Sequence, residues 1–176
     1  MASLAAVVAG TALAGVVVVG ANGMSAPEPE DPWADLGVRQ GEVKVQHDAD
    51  CVPHSFGQVR DLLATTPCAS LSRALFTVSN DRASAVVSVA WVEFRLRRDA
   101  REFRALEDVH GTGDITPLPR ALLGLPEIPF HAHNYTSALD GATVVVAEAE
   151  PVGGQPGAEF LDDLTEVAVL IPRPPR

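Results

Sequence analysis

The sequence predicts an α+β fold: an antiparallel sheet of about four strands with helices mainly on one face, preceded by an N-terminal apolar helix. Three observations carry that expectation. The run from Ala85 to Phe94 is rich in β-branched and aromatic residues and apolar on both faces, as in a central strand covered on two sides. Apolar residues recur at helical spacing from Arg98 to Val109 and again from Pro156 to Leu170. Between two further apolar runs stands Asp140-Gly141, a strong hairpin turn dipeptide. The resulting order is helix, hairpin, helix, hairpin, helix. It contains two β-β-α units, near residues 76–109 and 131–170, which share order without a detectable sequence repeat.

The 176 residues suffice for one domain and an export segment. No charged side chain lies between Met1 and Glu28. Ala2 to Ala21 supplies the roughly 20 apolar residues that a helix needs to cross a bilayer. Residues 1–23 therefore read as a transmembrane anchor or as a signal peptide, cut near Ala21-Asn22-Gly23 or Met24-Ser25-Ala26. The first basic residue is Arg39, so positive charge ahead of the apolar run does not set its orientation. Pro27, Pro29 and Pro32, with Glu28, Glu30, Asp31 and Asp35, give residues 24–46 the composition of an extended linker. A single domain is expected over residues 47–171, followed by a disordered tail at 172–176.

Within the domain a first helix is expected from Ser55 to Ala64, with Ser55 as N-cap and Phe56, Val59, Leu62 and Leu63 on one side. Pro67 ends it. A short helix is expected from Ser70 to Phe76, on the spacing of Leu71, Ala74 and Leu75. Thr77 to Asn80 then pairs with the valine-rich strand through Asn80-Asp81. Leu96, Ala100, Phe103, Leu106 and Val109 give the next helix its apolar stripe, and Asp99 sits in its first turn. Gly111 to Pro129 is irregular. His131 to Ala138 and Ala142 to Val152 form the second hairpin. Phe160, Leu164, Val167, Ala168 and Ile171 form the buried stripe of the last helix.

Cys51 and Cys68 read as one disulfide in an oxidising compartment. That pairing removes Cys51 as a nucleophile, although His47, Asp48, Asp50 and His54 surround it. His131 and His133 stand two apart, as do Glu148 and Glu150. In a hairpin turning at Asp140-Gly141 the two pairs would face each other, as metal ligands or as cross-strand pairs on a solvated face. Arg97, Arg101 and Arg104 line one side of the central helix, where they would meet an anionic polymer or an acidic envelope protein. The alternative is a solvated face in which Arg98 and Glu102 pair at i,i+4. Neither a G-x-S-x-G elbow nor an H-E-x-x-H motif is present. No cofactor is expected, and a net charge of −10 with few aromatics excludes nucleic acid as a partner.

The run from Cys51 to Val59, with Pro67-Cys68, Ser72 to Leu75, Val89 to Glu93 and Ala147 to Pro151, resembles a group of exported actinobacterial proteins with no assigned activity. The resemblance spans about residues 50–170. It implies export and a single domain, and it transfers no catalytic residue. The expected function is a non-catalytic extracytoplasmic domain for binding, sensing or scaffolding in the cell envelope, attached to the membrane if the N-terminal segment stays uncleaved. Two alternatives stand beside it. One is a small metal-dependent or hydrolytic exported enzyme using His131, His133, Glu148 and Glu150. The other is an accessory subunit docking through its arginines.

Overall fold

The structure, a computed structural model, describes residues 31–126 and 129–176. The expected export segment lies outside the described residues. Among those described, no helix is long and apolar enough to cross a membrane.

Strands β1 (Arg39–Asp48), β3 (Ser70–Ser79), β4 (Ala83–Glu93), β6 (Tyr135–Asp140) and β7 (Thr143–Gly154) form one sheet in the order β1-β3-β4-β7-β6. Every neighbouring pair is antiparallel. Strands β2 (Ser55–Phe56) and β5 (Gly113–Ile115) make a separate two-stranded ribbon. The helices are α1 (Gly57–Thr65), α2 (Arg97–Glu107) and α3 (Ala158–Ala168).

The α+β class and the antiparallel sheet are as expected, but the sheet has five strands rather than four. The fifth, β1, comes from sequence read as linker. Val43 and Val45 alternate there with Glu42, Lys44 and Gln46, and the strand pairs along β3 at the sheet edge. Upstream, Trp33 is buried edge-on against Phe76, with ring centroids 5.8 Å apart. The linker expectation therefore gives way from about Trp33 onward.

Ser70 to Phe76 is strand, not helix. Leu71 and Leu75 face one side, while Ala74, Phe76 and Val78 face the other. A strand buried on both sides has no polar alternation, so its apolar letters also satisfy a helical period. The same double burial explains a further correction: helices cover both faces, not mainly one. Leu161, Leu164 and Ala168 of α3 pack with Val87, Val89, Trp91, Val145 and Ala147 on the first face. On the second face, Val59 and Leu63 of α1 and Ala100 and Phe103 of α2 pack with Leu71, Val92, Val144 and Val146.

The tail expected to be disordered lies against the first face. Arg173 Nη1 donates to Glu93 Oε2 at 2.8 Å, and His47 Nε2 bonds the Pro175 carbonyl at 3.1 Å. Arg173 and Ser70 hydrogen-bond the Glu93 carboxyl and hold its pKa below the ordinary value.

The turns follow their residues. Asn80 Oδ1 accepts from the backbone N–H groups of Arg82 and Ala83, closing the β3–β4 hairpin. Helix α1 has no side-chain cap: Gln58 N donates instead to the Thr112 carbonyl at 2.6 Å. That contact brings Gly57 and Gly113 together, both at positive φ. A Cβ on Gly113 would stand 2.1 Å from the Phe56 carbonyl oxygen, so only glycine permits this approach. The ribbon and the start of α1 are thereby held against the loop that follows α2.

Candidate functional site

On the second face the packing of α1 and α2 ends partway along the sheet, and a row of polar side chains takes over. Strand alternation puts Glu148 and Glu150 of β7 on this face, below the helices. Above them lie Glu107, at the C-terminal end of α2, and Asp114, in β5. Glu107 and Glu148 are each 5% exposed, and Asp114 is 9% exposed.

Few donors reach these carboxyls. Ala132 N donates to Glu148 Oε2 at 3.0 Å, and Ile115 N to Asp114 Oδ1 at 2.6 Å. A longer bond of 3.4 Å joins Ile115 N to Glu107 Oε1, and Glu107 Oε2 has no donor among the described residues. The negative charge of Asp114 disfavours ionisation of both glutamates. Burial first, then the neighbouring carboxyls, raises the pKa of Glu107 well above the ordinary range, and that of Glu148 to about 8. Asp114 is raised by burial, against hydrogen bonds that lower it. At neutral pH this cluster therefore holds protons that exposed carboxyls would have lost.

Over the carboxyls runs the segment ahead of β6. His131 N and its ring Nδ1 both reach Glu150 Oε1, at 2.9 and 3.1 Å. Ala132 takes φ 52° here, which aims its N–H at Glu148. The rings of His131, His133 and His110 form a stack with successive centroids 6.0 Å apart.

Beside the carboxyls opens a cleft of about 560 Å³. Its walls are Phe56, Pro117, Leu118, Pro129 and Phe130, and Asp114 and Glu148 line its floor. Phe56 is 51% exposed at the edge, a large apolar side chain left facing solvent. The Arg120 guanidinium lies 4.4 Å from the Phe130 ring centroid. A narrower hollow of about 220 Å³ continues toward His110 and His131, sharing Phe56, Asp114, Phe130 and Glu148 with the cleft. The first face carries a hollow of similar size, about 570 Å³, along α3 and the tail. Its lining carboxylates are Glu93, already paired with Arg173, and Asp140, exposed in the hairpin turn, so it offers no buried acidic group without a partner.

Of the residues singled out from sequence, Cys51 and Cys68 form the disulfide. His131 does meet Glu150, but not across paired strands: β6 begins at Tyr135, which itself stands opposite Glu148. His133 turns to its neighbouring imidazoles. Among the described residues no group of three or more His, Cys, Asp or Glu side chains has the arrangement to hold a metal ion. The arginines do not form one free face. Arg97 and Arg101 are exposed, whereas Arg104 Nε donates to Ser137 Oγ at 2.8 Å and pairs with Asp108 at 3.4 Å. Arg98 pairs with Asp99. Asp48 pairs with His54 and with buried Arg73. Burial alone would raise its pKa, but hydrogen bonds from Arg73 and Gln46 outweigh that and lower it.

The sequence reading missed Glu107, Asp114 and the aromatic walls. Only Glu107 left a signal: it continues the buried α2 stripe of Ala100 and Phe103, where a carboxylate is out of place. The fold and cleft together define an α+β domain with a half-open, acid-floored pocket. Comparison with protein-family models, with curated proteins and with solved structures finds no match.

Proposed function

We propose that this chain is a non-catalytic, extracytoplasmic ligand-binding domain of the cell envelope, and that the cleft beside Asp114 and Glu148 is its binding site. The observation that carries the reading is a cavity of small-molecule size, about 560 Å³, with apolar walls and a few buried polar groups converging on its floor. Phe56, 51% exposed at the rim of this cavity, extends its apolar wall to solvent, where a ligand would cover it. The disulfide supports an oxidising location. The N-terminal apolar segment and the resemblance to exported proteins support export, by anchor or by cleaved signal.

A hydrolytic reading draws less support. His47 Nδ1 bonds Ser72 Oγ at 2.8 Å, but Ser72 is fully buried on the opposite face, where no substrate reaches it.

A fragment screen by ligand-observed NMR on the full chain tests the proposal. Hits are expected to lose affinity by tenfold or more in Phe56→Ser and in Thr116→Trp, which fills the cleft from an exposed position, while both variants keep wild-type thermal stability. Absence of hits, or hits indifferent to both substitutions, would sink the cleft as the binding site.

A further inference from the structure

Among the described residues, no ion pair joins a cation to the carboxyls on the cleft floor, although buried Arg120 lines the same cleft. The ion pairs among the described residues engage Glu150, Asp108 and Asp48 around this region, but none reaches Glu107, Asp114 or Glu148. Backbone N–H groups supply the donors they have. Oε2 of Glu107, a residue 5% exposed that lines a third hollow with Asp114, His133 and Tyr135 behind the cleft, has none among the described residues. The described metal-ligating side chains are not arranged to bring in an ion. The missing component is thus a compact donor of positive charge that enters from the cleft. The cleft walls require it to carry an apolar body, because Phe56, Leu118 and Phe130 present carbon rather than hydrogen-bonding groups.

Resting on the binding reading above, we propose that the ligand is an organic ammonium ion, its charged head between Asp114 and Glu148 and its apolar body against Phe56, Leu118 and Phe130. An ammonium group offers several N–H donors to a cluster that is short of them, and its charge replaces a proton of the floor. A neutral alcohol of the same shape would fill the walls but leave the carboxyls competing for their protons. A carboxylate would add a further negative charge to them.

Binding of a cation must displace a proton from the floor, so affinity should rise with pH until the floor is ionised. The other titratable groups facing Asp114 and Glu148 are Glu107 from α2, which burial keeps protonated at neutral pH, Glu150 on β7, and the imidazoles of His110, His131 and His133. Arg120, on the apolar wall, stays charged throughout.

Phenethylamine and its neutral counterpart 2-phenylethanol, titrated calorimetrically into the full chain at about pH 6, 7 and 8, provide the test. The amine is expected to bind at least tenfold tighter than the alcohol at about pH 8. Below that its affinity should fall by up to about tenfold per pH unit, while the alcohol stays level. In Glu148→Gln and Asp114→Asn the preference for the amine should vanish, with alcohol binding retained. Glutamine has the shape of the protonated acid, so the first variant keeps the fold. Equal binding of the two compounds, or amine affinity independent of pH, overturns the ammonium assignment. If neither binds while the fragment screen yields cleft-dependent hits, the ammonium ligand is wrong and the cleft stands. If the screen is also empty, both fall.

Discussion

Replacing Glu107 by glutamine is expected to stabilise the protein at neutral pH and to change little near pH 4. The folded structure holds Glu107 protonated: burial raises its pKa far above the ordinary 4.5, and Asp114 beside it adds to the shift. Its position at the C-terminal end of α2, where the helix dipole is negative, works the same way. A raised pKa means that the folded state binds a proton which the unfolded chain releases. The stabilising contribution is therefore complete below the unfolded pKa and is lost as pH rises toward the folded one. At pH 7 the lost contribution is about 3 kcal/mol for one carboxyl kept neutral. Glutamine keeps the size of the protonated acid and brings no charge beside Asp114. Glu107→Gln should thus gain about 2–3 kcal/mol at pH 7 and close to nothing at about pH 4. Urea denaturation at the two pH values reads this directly. A loss of stability at pH 7, or the same change at both values, would contradict a protonated Glu107.

The second large effect is expected at the disulfide. Cys51 is buried among Val59, Leu63 and Phe103, and its bond to Cys68 joins the turn before β2 to the start of β3, with Cα atoms 6.1 Å apart. The closed loop contains α1, which has no side-chain cap and relies on the Thr112 carbonyl for its first N–H groups. Opening the loop returns chain entropy to the unfolded state, so Cys51→Ser with Cys68→Ser should cost about 3 kcal/mol. In a domain of this size that corresponds to a fall in Tm of roughly 10 °C. Reduction of the wild-type protein should reproduce it. A change below about 1 kcal/mol would mean that α1 and β2 are held in place without the bond.

How much of this was legible in the letters differs from element to element. Both hairpin turns were readable because Asn80-Asp81 and Asp140-Gly141 act locally: their side chains or their missing Cβ favour the turn wherever the chain places it. Helices α2 and α3 were readable because each keeps a polar face toward solvent, so the period of burial survives in the sequence. Strand β3 was not, because burial on both faces erases its period. Strand β1 was hidden by its polar edge residues and by the acidic, proline-rich sequence before it.

The candidate site was less visible still. Glu148 and Glu150 were noticed for their spacing, but were paired with histidines across a register that β6 does not extend far enough to make. Their actual neighbours come from the end of α2, from β5 and from the segment around Ala132, elements far apart in sequence. Phe56 was assigned to the buried side of α1, whereas it precedes the helix and faces the cleft.

By itself the sequence determined the fold class, the hairpins, the amphipathic helices and the cysteine pair, since each follows from local chemistry or from a repeat written along the chain. The tertiary structure alone decided the fifth strand, the helices on both faces and the meeting of Glu107, Asp114 and Glu148. The physical reason is that a carboxyl's protonation, and hence its chemistry, is set by what surrounds it in space. Residues 107, 114 and 148 become one titrating group only when the sheet brings them together.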